Sequence, residues 1–334
     1  MEQNLHRMAA FFQNRSAKLR PHFKNHRVLG LAKLQIQQGA IGITCARVWQ
    51  AERLVEAGIP RVLIANEIAG EAELHRFADL AKEAPVILAV DNGRVVDDLG
   101  RIARNRNVDL HVLVDVDLGL KRCGVAPGEA ALWLARRALE QGLKLRGIMG
   151  YEGHLQPIAP GLEKERVVGE AMQMLVGTAK SFAQDGIAVE IVSCGGTGDY
   201  SITGSYSGVT EIQAGSYLLM DTWYAPYAPD FRPALTVLAT VISKTPGQRI
   251  VLDAGVKAIS GERGLPSLKG IDGLKLKALH AEHAPVEIVG PGGNVEVGDK
   301  LEVAVQYHDG TVHLHKCMYG IRDGRVECVF PIEQ

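Results

Sequence analysis

Between residues 20 and about 220 the chain alternates between short apolar runs and longer amphipathic stretches. The runs are Ala40–Cys45, Arg61–Ala65, Val86–Val90, Leu110–Val116, Leu145–Met149, Val189–Ser193 and Glu211–Leu219. Each is a few residues long and almost continuously apolar, as expected of strands covered on both faces. The stretches between them carry a helical period. Val168, Met172, Leu175, Ala179 and Phe182 recur at steps of four and three and mark one buried stripe. Gly58, Gly142 and Gly186 each fall where a left-handed C-cap would end such a helix. With Arg20–Val28 counted as a first strand, eight βα units result, which favours a closed (β/α)8 TIM barrel over an open doubly wound sheet.

After about residue 230 the pattern changes. Leu235–Ile242, Gln248–Leu252, Val286–Val289, Lys300–Val305, Val312–Met318 and Val326–Phe330 read as short strands split by Gly, Pro and Asp turns. The expected division is a barrel over residues 1–228 and a small all-β domain over residues 229–334, and 334 residues suffice for both.

Composition excludes several function classes. A formal net charge of −1, with no long basic run, gives no electrostatic reason to expect nucleic acid or an anionic membrane as partner. No apolar stretch approaches the roughly 20 residues that span a bilayer. The first residues, MEQNLHRMAAFF, carry charge and lack the apolar core of a secretion signal. The five cysteines are scattered without a CxxC pair, so a reducing cytoplasm is the expected location.

Reacting groups in a barrel lie at the C-terminal ends of its strands. Polar clusters fall there: Arg20–His26 on the first strand, Asp115, Asp117 and Arg122 after the fifth, and Tyr151–His154 after the sixth. Cys194–Gly198 ends the seventh and Gln213–Tyr217 lies on or after the eighth. A lysine directed into a barrel, here Lys24, is dry, and a desolvated amine is nucleophilic enough to form a Schiff base. A surface lysine at a strand end is the plain alternative, as ordinary hydrogen-bonded histidines are for His22 and His26. Gly195-Gly196-Thr197-Gly198 lets backbone N–H groups approach a phosphate, although the same glycines suit a tight turn. Barrels often bind phosphate in the loops after strands seven and eight, and Gly215-Ser216-Tyr217 occupies the second of these. Arg122 can stabilise a phenolate oxygen and Tyr151 can pack on a pyridine ring, the alternatives being a surface ion pair and a core tyrosine.

The strings LRPHFKNH, GITCARVWQAERLVEAG, VLIANEIAG, VDVDLGLKRCGV, GYEGH, SCGGTGDY, GVTEIQAGSYLLMD and VLDAGVKA, in this order, resemble the D-threonine aldolase and D-serine dehydratase family of alanine-racemase-like, fold type III pyridoxal-phosphate enzymes. The likeness runs from Met8 to Ile332. It implies pyridoxal 5'-phosphate linked to Lys24, with Arg122 at its O3′ and Tyr151 beside its ring. Thr197, Gly215, Ser216 and Tyr217 would hold the phosphate. His22 and His154 would face the substrate as proton-transfer groups, with Gln213 a further contact. The implied activity is retro-aldol cleavage of D-threonine or a related β-hydroxy-D-amino acid to glycine and an aldehyde. Dehydration of D-serine or 3-hydroxy-D-aspartate is the alternative, followed by metal-free racemisation or plain pyridoxal-phosphate binding. The family places active sites near a dimer interface, so a homodimer is expected.

The family also uses a divalent metal, held by His-x-Cys or His-x-Asp before a Thr-Val-Asn segment. Counting back from Thr311-Val312, Asp309 takes the Cys/Asp position, but Tyr307 falls where the histidine belongs and His308 is one residue out of register. On a strand, His308 and Asp309 would point to opposite faces and could not share an ion. A bulge or turn at Asp309-Gly310 could bring them together, whereas Asp-Gly between apolar runs equally signals a hairpin. A His308/Asp309 site would suit Mn2+, Mg2+ or Zn2+. Relatives also begin with a strand that joins the β-domain, whereas this sequence starts at the helix containing Asn4–Phe12, which would leave one sheet edge unpaired.

Overall fold

The computed structural model describes residues 1–290 and 294–334. Helix α1 (Glu2–Phe12) leads into a barrel of eight parallel strands: β1 (Lys18–Leu19), β2 (Ile43–Cys45), β3 (Val62–Ile64), β4 (Ile87–Val90), β5 (His111–Val116), β6 (Lys144–Gly150), β7 (Ile191–Cys194) and β8 (Glu211–Ile212). Helices α2 (Leu29–Gln37), α3 (Val48–Glu56), α4 (Glu71–Glu83), α5 (Gly93–Arg106), α6 (Glu129–Glu140) and α7 (Leu162–Gln184) connect successive strands, and the short α8 (Tyr200–Thr203) precedes β8. Sequential strands pair from β2 round to β8, and β8 pairs with β1. The ring closes where Ile41 N–H donates to Leu19 O and Thr44 N–H to Pro21 O, both at 2.9 Å.

Alternation within the strands explains their continuous apolarity. Leu63, Ile87, Ala89, Leu113, Met149 and Ile191 pack together inside the barrel. Their neighbours Ile64, Leu88, Val90, Val112 and Val114 face the helices in the main core. Val168, Met172, Leu175, Ala179 and Phe182 of α7 are all buried in that core, and Gly58, Gly142 and Gly186 have positive φ at the helix ends. At the β1–β8 seam the Arg20 guanidinium grips Glu211 with two hydrogen bonds of 2.9 and 2.7 Å, nearly excluded from water. A forked pair satisfies both charges at once, which a buried ion pair requires.

The first and eighth strands are shorter than their apolar runs. β1 stops at Leu19, and Phe23–Asn25 forms a 3-10 turn, so Lys24 sits on a turn above the barrel and not on a strand. Proline at position 21 removes one ladder donor, and the His22 ring caps the turn by accepting from Lys24 N–H. β8 ends at Ile212, and residues 216–219 are turns.

The second sheet has six strands: β9 (Thr236–Thr245), β10 (Arg249–Leu252), β11 (Ser267–Leu268), β12 (Leu274–Leu276), β13 (Ala284–Ile288) and β14 (Lys300–Ala304). Their order is β11-β14-β9-β10-β13-β12, every pairing is antiparallel, and Val241, Ile250, Leu252, Val286 and Val303 form a separate core. The chain then returns to the barrel. The expected strand over Val312–Met318 is replaced by helix α9 (His308–His313), followed by a hairpin of β15 (Cys317–Arg322) and β16 (Arg325–Pro331). No described helix is long and apolar enough to cross a membrane.

Candidate active site

At the mouth of the barrel a cavity of about 260 Å³ gathers Lys24, Arg122, Tyr151, Asp221, His308 and Asp309. Trp223, Tyr224, Arg263 and Tyr307 also line it. A larger surface hollow of about 440 Å³ lies elsewhere, against Trp49, Arg53 and His313, and carries none of this chemistry.

Lys24 is exposed at the cavity mouth, which corrects the expectation of a dry lysine inside the barrel. The residue is held by its turn: Lys24 N–H donates to His22 Nδ1 at 3.3 Å. Burial, and next the Lys24 ammonium, push the His22 imidazole well below its ordinary pKa. A neutral ring that accepts at Nδ1 carries its proton on Nε2. His26 is also neutral, its pKa lowered to about 4 by burial. It accepts from Val28 N–H at Nδ1 and pairs with Gln35, whose amide donates to the Tyr217 hydroxyl at 2.8 Å. Arg122 lies over the Tyr151 ring, 5.5 Å from its centroid.

The two glycine-bearing loops meet. Tyr217 N–H donates to Thr197 Oγ1 at 2.9 Å, tying the loop after β8 to the loop after β7. The second loop approaches the Lys24 turn so closely that a Cβ on Gly215 would lie 1.9 Å from Asn25 Oδ1 and 2.7 Å from His22 O. Among the described residues, the N–H groups of Thr197, Gly215 and Ser216 have no protein acceptor. Unpaired amide donors beside a side-chain hydroxyl suit a phosphate. These donors, with an amine, a guanidinium and an aromatic ring facing one cavity, fit pyridoxal phosphate.

Beneath the first loop, Glu152 and Asp199 form a fully buried acid pair. Asp199 accepts from Gly196 N–H at 2.9 Å and from the Gln156 amide, while Gln156 Oε1 takes Gly198 N–H at 2.8 Å. Burial first, and then the Asp199 charge, push the Glu152 carboxyl well above its usual range. A protonated Glu152 removes the like-charge repulsion with Asp199.

On the opposite side, α9 brings its first two side chains to one point. His308 Nε2 lies 3.0 Å from Asp309 Oδ1, and His308 Nδ1 lies 2.6 Å from Asp221 Oδ2. The strand and hairpin expectations for this segment are thereby replaced: at a helix start, adjacent side chains are not forced to opposite faces. Asp221 also accepts His308 N–H at 3.1 Å, capping the helix from 87 positions away. Burial alone would lower the His308 pKa, but Asp309 and Asp221 outweigh it and raise it to about 9. Burial would raise Asp309, yet His308, then Lys24 and Asn25, hold its carboxyl well below the usual range. Two ligands about 2.1 Å from one ion, at a right angle, are about 3 Å apart, so Nε2 and Oδ1 are spaced to share a cation once the ring gives up its Nε2 proton to the incoming ion. A carboxylate on the other ring nitrogen is the usual orienting partner of a metal-bound histidine. The donor set fits a divalent metal. Asn25 joins both sides, donating to Ser216 Oγ at 3.2 Å and to Asp309 Oδ1 at 2.6 Å.

Of the expected residues, Lys24, Arg122, Tyr151, His308 and Asp309 line the cavity, whereas His22, His154, Thr197, Gln213, Gly215, Ser216 and Tyr217 do not. His154 is exposed and faces Gly119, and Gln213 is engaged by its amide donating to Ser193 Oγ at 2.9 Å. Asp221, Trp223 and Arg263 went unnoticed in the sequence, although Asp221 closes the string GVTEIQAGSYLLMD. A further acidic group, Glu67, Asp91 and Cys123, has ligand atoms within 4.8 Å of one another at the ends of β3 to β5.

Comparison with known proteins adds independent weight. The family description "Alanine racemase, N-terminal domain" matches residues 1–222, and one for a serine dehydratase domain matches residues 234–321. The chain is 35% identical to a D-threonine aldolase from Arthrobacter sp, over 99% of this chain and 89% of that protein. It is 31% identical to a 3-hydroxy-D-aspartate aldolase from Paracoccus denitrificans, over 99% and 88%. The crystal structure of D-threonine aldolase from Filomicrobium marinum superposes with a TM-score of 0.95 at 31% identity, covering 99% of this chain and 92% of that one.

Proposed function

We propose, because the chain belongs to the alanine racemase N-terminal domain family and is similar over its whole length to D-amino acid aldolases, that it is a pyridoxal-phosphate-dependent lyase cleaving β-hydroxy-D-amino acids to glycine and an aldehyde. The observation that carries this reading is one cavity lined by Lys24, Arg122 and Tyr151 on one side and by His308 and Asp309 on the other.

In this reading Lys24 is the point of cofactor attachment. Arg122 and Tyr151 would hold the ring of the cofactor, and Thr197, Gly215, Ser216 and Tyr217 its phosphate. Bound there, the cofactor supplies an electron sink for the bond that breaks at Cα. His308 Nε2 and Asp309 are the residues that would hold a Mn2+, Mg2+ or Zn2+ ion, which would make the β-hydroxyl more acidic. The rest is done by the chain's own groups. Asp309, ionised and facing the cavity, binds the β-hydroxyl end of the substrate and receives its proton. Asp221 holds the His308 ring in place through Nδ1. His22 Nε2 and Lys24 Nζ carry the protons nearest the attachment point, and from them Cα regains the hydrogen that glycine requires. His154 stands outside the cavity lining and is assigned a part only at its rim.

The test is chemical trapping. Protein loaded with pyridoxal phosphate and reduced with borohydride should yield one modified peptide, carrying the adduct on Lys24. The visible absorption of the loaded protein should vanish in Lys24→Ala. An adduct on another lysine, or none, would overturn the assignment. A homodimer belongs to the same reading, since Tyr319, Ile321, Val326 and Val329 leave an apolar surface exposed on β15–β16. Size-exclusion chromatography giving the mass of one chain would count against it.

A further inference from the structure

Among the described residues that line the cavity, Arg263 is the one charged side chain whose chemistry the reaction just described does not use. It lies in the loop between β10 and β11, with its guanidinium 3.8 Å from the Trp223 ring centroid and 5.0 Å from that of Tyr307. Stacking on aromatic faces fixes the plane of a guanidinium and leaves the N–H groups at its edge free to bind. Among the described residues Arg263 makes no ion pair and no side-chain hydrogen bond, although Glu262 precedes it and Asp309 lines the same cavity. A planar, positively charged fork held against rings and turned to a substrate cavity is suited to a carboxylate, which it can grip with two parallel hydrogen bonds.

Its position says which carboxylate. Both of its supports adjoin the residues that handle the substrate's β-hydroxyl: Tyr307 precedes His308, and Trp223 follows Asp221 by two positions. A group bound by Arg263 is therefore carried on Cβ, next to that hydroxyl, and is not the α-carboxylate beside the Lys24 end. In D-threonine this substituent is a methyl group, which would face the guanidinium and leave it without a partner. We propose that Arg263 is a specificity-determining residue that selects substrates bearing a carboxylate on Cβ, so that the preferred substrate class is the 3-hydroxyaspartate type. The inference rests on the lyase reading for its orientation of substrate.

The step balances. The Cα–Cβ bond breaks, the β-hydroxyl loses its proton as its oxygen becomes an aldehyde, and the electron pair left at Cα takes up one proton. Four carbons divide into glycine and glyoxylate, with no oxidant or reductant needed.

The experiment has two arms, both on the pyridoxal-phosphate-loaded protein. In the first, kcat/KM is measured for 3-hydroxy-D-aspartate and for D-threonine in wild type and in Arg263→Gln. The preference for the dicarboxylic substrate should fall by about 10- to 100-fold, the range expected for losing hydrogen bonds to a charged group. Arg263→Lys, which keeps the charge but not the fork, should restore part of it. An equal loss on both substrates would mean that Arg263 binds the α-carboxylate, and would overturn the proposal. The second arm measures binding of malate and of 3-hydroxybutyrate through tryptophan fluorescence. These probes differ only in bearing a carboxylate or a methyl on the hydroxyl carbon. Tighter binding of malate that is lost in Arg263→Gln supports the proposal even if neither amino acid is cleaved, in which case the lyase reading alone fails. Equal binding of the two acids by wild type would overturn it.

Discussion

The barrel side of the cavity and the side contributed by Asp221, α9 and the second sheet are built by different means. On the barrel side, backbone geometry does most of the positioning: two glycine-bearing loops touch through Tyr217 N–H and Thr197, and Gly215 lies against the Lys24 turn with no room for a side chain. On the other side, charge does it. His308 is clamped between Asp221 and Asp309, and the clamp exists only because segments 87 residues apart come together. The two buried acid groups make the same point. Glu152 beside Asp199 is pushed up, because burial meets a like charge, whereas Asp309 beside His308 is held down by an opposite one. Neighbours, more than burial alone, decide which carboxylate is ionised.

If the two sides are separable, removing one should spare the other. Asp309→Ala should lower cleavage by about 100- to 10,000-fold, the usual worth of a positioned proton acceptor, while Lys24 keeps its borohydride adduct. Loss of the adduct as well would show that the sides are not independent. Gly215→Ala forces a Cβ against Asn25, which bridges both sides, and a displacement of about 1 Å at a reacting centre can cost about 100-fold in turnover. Weakened retention of pyridoxal phosphate in equilibrium dialysis, alongside slower turnover, would locate that damage in the cradle. Asp221→Asn removes a charge from outside the reacting groups and should weaken Mn2+ affinity or activity by about 10- to 100-fold. A titration of activity against free Mn2+ gives the shift directly.

The smallest effect is a pH dependence. Glu152 has its folded pKa raised above the ordinary 4.5, so the folded state holds a proton there that the unfolded chain has released. Its contribution to stability is complete below about pH 4.5 and is lost as pH climbs toward the folded value, at about 1.4 kcal/mol per pH unit for one proton. Glu152→Gln, which keeps the shape and a donor, should flatten this slope in thermal melts taken across the pH range. An unchanged slope would show that the pair holds no extra proton.

The barrel was legible in the sequence because its strands are buried on both faces and its helices carry a single stripe, so burial alone writes the pattern. Lys24, Arg122, Tyr151 and the two glycine-bearing loops were legible because the ends of barrel strands are where such groups gather. The state of Lys24 was not, since Pro21 and the His22 cap turn the chain out of the strand before it reaches the lysine. The segment His308–His313 contains a glycine and β-branched residues, poor helix formers, and reads as a strand or hairpin. It becomes a helix because Asp221 accepts its first N–H, a tertiary contact that no local pattern encodes. The stacking of Arg263 between Trp223 and Tyr307 escaped notice for the same reason: three isolated residues become a site only when the second sheet folds back over the barrel.

The central claim is that these two sides together cleave a β-hydroxy-D-amino acid between Cα and Cβ. It is tested most directly by incubating the pyridoxal-phosphate-loaded protein with D-threonine, 3-hydroxy-D-aspartate and their L-forms and identifying the products. The account predicts glycine with acetaldehyde or glyoxylate from the D-substrates alone, diminished by EDTA and restored by Mn2+. Ammonia with a keto acid, a racemised amino acid, or equal cleavage of the L-forms would contradict it.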